Sequence, residues 1–216
     1  MKLPLSDSRW LSLPAMLALS ATLASCGNLP LFGEHEDEEE ENEQLVTNEQ
    51  GVTCGTERWN VKTGVDADVG SVATTSTTVS IATLVGYARP GSLPDNNRVA
   101  PVELTRYRLR NVTMTGYKAE TDSDFHIVVS DGTHSMIVEI PNLGCVGTSS
   151  PLYSAISSAR SAFLANHSPT STFKTTNETV TFIGVGFWDF NHGQTGVAAN
   201  AIELHPATFF CSGLNC

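Results

Sequence analysis

Phe125-His126-Ile127-Val128-Val129-Ser130-Asp131-Gly132-Thr133-His134-Ser135-Met136-Ile137-Val138-Glu139-Ile140-Pro141 is the stretch that decides the fold. Phe125, Ile127 and Val129 alternate with His126, Val128 and Ser130, and a period of two is the signature of a β-strand with distinct faces. Asp131-Gly132 marks a hairpin, because glycine accepts the positive φ that such a turn requires. Met136, Val138 and Ile140 then repeat on one face, with Ile137 and Glu139 on the other. Pro141 ends the strand, since it has no N–H to give to a ladder.

Working outward, Glu103 to Tyr117 forms a long preceding strand in which Thr105, Tyr107 and Leu109 alternate with Arg106, Arg108 and Arg110, followed by Val112 to Met114. After the hairpin the period changes. Leu152, Ile156, Ala159 and Phe163 fall at helical spacing, so Pro151 to His167 is an amphipathic helix of about four turns. Thr179 to Trp188 is a fourth strand, with Gly184 and Gly186 where the strand bends or backbones approach. A polar loop, Asn191 to Asn200, leads to a fifth strand from Ala201 to Phe210. The chain is thus mainly β with one or two helices, and the order β-β-β-α-β-β is that of an OB-fold, a five-stranded Greek-key barrel. The barrel is expected over residues 103–216. Residues 51–102 form an N-terminal extension with a short helix within Thr78 to Tyr87 and an irregular connection from Arg89 to Pro101. A β-sandwich requires more strands than are found, and a generic α+β domain is the alternative.

The formal net charge of -11 is unevenly placed. Nine acidic residues and no Lys or Arg lie between Glu34 and Glu49, whereas from Gly51 onward 13 acids face 10 bases. The acidic run repels itself and buries no apolar area, so residues 26–50 are expected to be a solvated, disordered tether to a near-neutral domain. That domain, about 165 residues, is long enough for one core. Its abundant Thr, Ser, Val and Gly favour strands.

Residues 1–25 divide as a secretory signal does. Lys2 and Arg9 open it, and the apolar stretch Trp10 to Leu23 is shorter than the roughly 20 residues of a membrane-spanning helix. Leu23-Ala24-Ser25-Cys26-Gly27 resembles the lipobox of bacterial lipoproteins. The resemblance implies that the Cys26 thiol receives a diacylglyceryl group, that cleavage precedes Cys26, and that its new amino group takes a further acyl chain such as palmitate. Several chains together hold a protein firmly to a membrane where one does not. Gly27 is not the aspartate that marks inner-membrane retention, so an outer-membrane lipoprotein, facing the periplasm or the surface, is expected. Of the five cysteines, Cys26 is then set apart. Cys54, Cys145, Cys211 and Cys216 read as two disulfides with three connectivities open, and the close pairs of a zinc site are absent.

Cys54-Gly55-Thr56-Glu57-Arg58-Trp59-Asn60-Val61-Lys62-Thr63, Asp122-Ser123-Asp124-Phe125-His126, Phe187 to Val197 and Glu203-Leu204-His205-Pro206 resemble a family of uncharacterised secreted bacterial proteins and lipoproteins. The resemblance covers nearly all of residues 54–210. It bears on domain limits and implies no activity.

If Phe125, Met136, Val138, Ile202 and Leu204 face the core, Asp124, His126, Glu139, Glu203 and His205 share the opposite face of neighbouring strands. Two imidazoles and three carboxylates there suit a divalent metal such as zinc or calcium, and Asp189 and His192 lie where they complete or gate such a site. The plainer reading stands first: polar residues on a solvated face, with cross-strand His–Glu pairs contributing about 0.2–1 kcal/mol, or a His–Asp pair bracing the 189–205 loop. Arg106, Arg108 and Arg110 present a candidate anion site. No aromatics share their face and the carboxylates nearby repel phosphate, so a ladder of Arg–Glu and Arg–Asp pairs is preferred and nucleic acid is not an expected partner. No nucleophile elbow, phosphate-binding loop or His-Glu-x-x-His helix occurs. The functional expectation is a membrane-anchored binding module of undefined ligand. The alternative is a metal-dependent hydrolase of phosphodiesters or glycans using the Asp/His/Glu cluster.

Overall fold

The computed structural model describes residues 45–48 and 51–216. The signal, Cys26 and the acidic run therefore lie outside the described residues. The chain is mainly β. The hairpin at its centre is β5 (Phe125–Ser130) and β6 (Ser135–Ile140), paired from Phe125↔Ile140 to Ser130↔Ser135. Its connection is the four-residue turn 131–134: Asp131 Oδ1 accepts from the backbone N–H of Thr133 and His134 at 2.9 and 2.8 Å, and Gly132 adopts φ 90°.

β4 (Arg106–Ala119) is the first long strand and starts three residues later than expected. Glu103, expected to open it, sits in a short 3-10 turn, Val102–Leu104. β7 (Lys174–Trp188) begins five residues before Thr179, and β8 (Ile202–Ser212) runs two beyond Phe210. The mixed sheet has the order β3-β4-β5-β6-β8-β7, where β3 (Ser76–Thr78) lies parallel to β4. β4 also pairs antiparallel with β7, so each of β4, β5, β6, β8 and β7 has a neighbour on both sides. β6 and β8 are parallel, with Val138 opposite Leu204. The chain between these two strands holds the helix Tyr153–Leu164 and β7.

Among the described residues there are three α-helices. α1 (Trp59–Thr63) and α2 (Ile81–Val85) belong to the extension, and α3 (Tyr153–Leu164) to the β6–β7 connection. α2 is shorter than the Thr78 to Tyr87 expectation because Ser80 caps it, accepting from Thr83 N at 3.1 Å, while Thr78 belongs to β3. Leu152, Ile156, Ala159 and Phe163 are buried as their spacing requires, and the Phe163 ring meets Tyr117, Phe125 and Phe210 at 5.3, 5.7 and 5.1 Å. Ile127, Val129, Met136, Val138, Ile202 and Leu204 share that core. Among the described residues no helix is long and apolar enough to cross a membrane.

The last residues assigned to the tether are structured. Leu45–Thr47 (β1) pairs antiparallel with Thr53–Gly55 (β2), because beyond the charge run Leu45 and Val46 favour strand and Asn48 donates to Gly144 O at 2.6 Å. Nearby, Cys54 is joined to Cys145 and, at the far end, Cys211 to Cys216, which selects one of the three connectivities. Cys54–Cys145 spans 91 residues and ties the extension to the segment after β6.

The extension is wired by buried charge. Arg58, with a left-handed φ of 47°, pairs with Glu103 through Nη1–Oε1 at 2.6 Å and Nη2–Oε2 at 2.8 Å. Its Nε, Nη1 and Nη2 also donate to the carbonyls of Pro94, Trp188 and Asn97. Glu103 accepts from the N–H groups of Trp188 and Val99. Arg98 and Asp66 form a second such pair at 2.7 Å.

Two stability predictions follow from this wiring. Glu103→Ala strands the Arg58 guanidinium and lowers unfolding free energy by about 3–5 kcal/mol, and urea denaturation of Arg58→Ala, Glu103→Ala and the double variant should show a double-variant loss well below the sum of the two. Cys54→Ala/Cys145→Ala should cost about 4–5 kcal/mol from loop entropy, against about 2 kcal/mol for Cys211→Ala/Cys216→Ala. Equal losses in the same denaturation assay contradict that account.

Candidate functional site: a buried histidine–carboxylate cluster

His126 lies opposite Glu139 across β5 and β6, and Glu203 lies opposite Ile137 across β6 and β8. Alternation carries His205 to the same face as Glu203, so these side chains point away from the apolar core. That face was expected to be solvated, and it is not. His126 and His205 are 0 % exposed, Asp124 0 %, Glu203 1 % and Glu139 6 %.

The cover has two parts. The extension supplies Arg58, stacked 4.8 Å over the Phe187 ring, and Lys62, whose ammonium lies 3.4 Å from Asp189. Phe187 in turn lies 5.5 Å from the His205 ring. The loop between β7 and β8 supplies Thr195, whose carbonyl accepts from His126 Nε2 at 2.8 Å. Gly196 follows with φ 84° and sits against Val128 so closely that a Cβ would lie 2.4 Å from its methyl group. Only glycine lets the loop descend onto β5 there.

Within the cover, Glu139 is central. Its Oε1 lies 3.4 Å from His126 Nδ1, and its Oε2 lies 2.8 Å from His205 Nδ1. His205 Nε2 is 3.5 Å from Asp124 Oδ2. Glu120 completes the group, with Oε1 3.1 Å from His126 Nδ1 and Oε2 3.1 Å from Lys118 Nζ. The loop carrying these acids is fixed: Asp124 Oδ1 accepts from Asn142 N at 2.8 Å, and Asp122 Oδ1 from Asp124 N at 2.9 Å. Arg160 of α3 donates to Ser123 O at 3.0 Å and to Ile140 O at 2.8 Å. Two donor sets result, Glu120–His126–Glu139 and Asp124–Glu139–His205, each compact enough for a metal ion.

Burial alone would lower both imidazoles. For His126 the adjoining Glu139 and Glu120 carboxylates outweigh it, and for His205 those of Glu139 and Asp124, so both are held above the ordinary histidine value. Burial pushes Glu120 up, reinforced by the charge of Glu139 and opposed by His126. Glu139 is held well below the usual carboxylate range: burial acts the other way, and the charge of His205 with the contacts from both imidazoles overcomes it.

Of the residues expected at the site, Asp124, His126, Glu139 and His205 are brought together, and Glu203 is buried on the same face. Asp189 is drawn instead to Lys62, and His192 to Glu57 at 2.8 Å. Glu120 was missed. Its signal is the β4 alternation carried one step past Ala119: Lys118 pairs with His126, and Glu120 N continues the contact to Asp124 O at 2.9 Å.

The expected Arg–carboxylate ladder is not formed among the described residues. Arg106 donates to Thr208 Oγ1 at 2.7 Å and Thr74 O at 3.4 Å, because β3 and β8 offer hydroxyls and carbonyls where acids were anticipated. Burial lowers the Arg106 guanidinium from its ordinary value. Arg110 is exposed and borders a shallow depression of about 370 Å³ with Val79, Asn111 and Asp131. The four described cysteines are paired in disulfides. No family model, curated protein or solved structure matches the chain.

The shifts give a pH dependence. In EDTA the folded state binds the His126 and His205 protons more tightly than the unfolded chain, whose imidazoles titrate near 6.5. That stabilisation is complete below about pH 6.5 and is lost as pH rises through the raised folded values. Melting midpoints in EDTA should fall steadily from pH 6 towards pH 9, and His126→Asn/His205→Asn should flatten the slope. A parent whose midpoint rises over that range contradicts the assignment.

Proposed function

We propose that this chain is an exported, lipid-anchored binding module. An OB-like five-stranded Greek-key barrel is held off the bacterial outer membrane through Cys26 and an acidic tether, and binds a polar ligand at one loop end. The ring of pairings β4–β5–β6–β8–β7, with α3 between β6 and β7, supports the OB-like reading. OB-folds build ligand sites on the face of their second and third strands and from the loops after the first and fourth. The equivalents here are β5 and β6, the loop 120–124, and the loop 189–201.

The observation that carries the proposal is the meeting of those loops over β5, where Thr195 accepts from His126 and Glu120 closes on the same ring. Carboxylates dominate this end, which repels nucleic-acid phosphates and favours a polar, cation-tolerant ligand. Binding fits better than hydrolysis. Glu139 and His205, on which hydrolysis by this cluster would draw, lie buried under the extension. Two disulfides accord with an oxidising compartment.

Expression of the full chain in a Gram-negative host tests the anchor. The parent should label with radioactive palmitate and sediment with outer membranes, and Cys26→Ser should move to the soluble periplasmic fraction without label. A variant that sediments as the parent does, or a parent that takes no label, overturns the anchored reading.

A further inference from the structure

We propose that Glu120, His126 and Glu139 bind one divalent cation of the zinc class, through Oε1, Nδ1 and Oε1 respectively. The inference rests on the binding-module reading and names the chemistry of its loop end.

Each of the three residues has one polar atom engaged outside the group. His126 Nε2 donates to the Thr195 carbonyl, Glu120 Oε2 meets Lys118 Nζ, and Glu139 Oε2 meets His205 Nδ1. The remaining atoms converge. A carbonyl only accepts, so Nε2 carries a proton and Nδ1 is the lone-pair nitrogen of the neutral ring. It then faces two carboxylate oxygens at 3.1 and 3.4 Å, an arrangement that demands a positive charge among the three.

In the metal-free chain a proton on Nδ1 meets that demand. Nδ1 and Glu120 Oε1 are both buried, and neither makes an aligned hydrogen bond despite the short separations. A central ion needs no such alignment. Bonds of 2.0–2.2 Å in a tetrahedral shell place ligand atoms about 3.4 Å apart; here Nδ1 lies 3.1 and 3.4 Å from the two carboxylate oxygens, and all three donor atoms lie within 4.8 Å of one another. The Thr195 carbonyl on the far ring nitrogen is the outer contact that orients a metal-binding imidazole. One nitrogen with two carboxylate oxygens suits zinc, then manganese, ahead of calcium, which takes six to eight oxygens. Asp124–Glu139–His205 serves differently. The two His205 nitrogens address separate carboxylates, Nδ1 that of Glu139 and Nε2 that of Asp124, so His205 positions Glu139.

The test uses the full-length chain in detergent, stripped with EDTA, loaded with ZnCl2 and desalted, with metal content measured per chain. One equivalent of zinc is expected, outcompeting manganese and calcium. Glu120→Gln should weaken zinc binding at least about tenfold, while His134→Ala, on the exposed hairpin turn, binds as the parent does. Nitrogen-15 NMR of the parent should show the Nδ1 resonance of His126 moving on zinc addition, a readout that holds even where a variant fails to fold. A parent that retains no zinc, an unmoved His126 resonance, or undiminished binding by folded Glu120→Gln overturns the proposal. Palmitate labelling and fractionation are unaffected by these outcomes, so failure of the zinc site and failure of the anchored reading are told apart.

Discussion

The Arg58–Glu103 pair is the constraint on which the rest of the structure depends. Both side chains are removed from water, which costs several kcal/mol per ion before any attraction is counted. The cost is met by a fork-to-fork contact and by five further hydrogen bonds from Pro94, Asn97, Val99 and both backbone groups of Trp188. Trp188 ends β7 and Glu103 precedes β4, so the pair fixes the segment 51–102 to two strands that also pair with each other. An extension built only of short helices, turns and strands becomes an integral layer.

That layer changes the chemistry beneath it. His126, Glu139 and His205 stand on strand positions that ordinarily face water, where imidazole–carboxylate contacts are worth little. Covered by Arg58, Lys62 and Phe187, the same residues lie in a medium where charges interact strongly and an unpaired one is expensive. The raised imidazoles and the depressed Glu139 are the response: proton or cation, something positive must sit among those acids. Lys62 contributes to the same balance from above, drawing Glu139 down while opposing charge on His205.

The elements with strict periodicity were legible in the sequence. Alternation from Phe125 to Ile140 and helical spacing from Leu152 to Phe163 each report a single face meeting a single core, a local property. So was the set Asp124, His126, Glu139 and His205, since the same alternation places them together. Their burial was not legible, because it depends on a segment whose Pro, Gly and Asn content reads as loop and whose decisive contact joins residues 45 positions apart. Glu120 escaped for a related reason, lying one step beyond the last paired residue of β4. Arg106, Arg108 and Arg110 were misjudged in partner: alternation locates side chains on a face, yet says nothing of whether Thr208 or a carboxylate faces them.

The cover differs on its two sides. On one side the cluster is covered by Arg58, Lys62 and Phe187, held by the buried Arg58–Glu103 pair. On the other it is closed by a single loop resting on Gly196 and one hydrogen bond from His126 to Thr195. Thr195 is exposed, Glu120 is only partly buried, and His192 and Glu57 pair at the rim. The Thr195 carbonyl is thus the point at which the loop between β7 and β8 touches the cluster, and the proposed cation position between Glu120 and His126 shares the His126 ring with that contact.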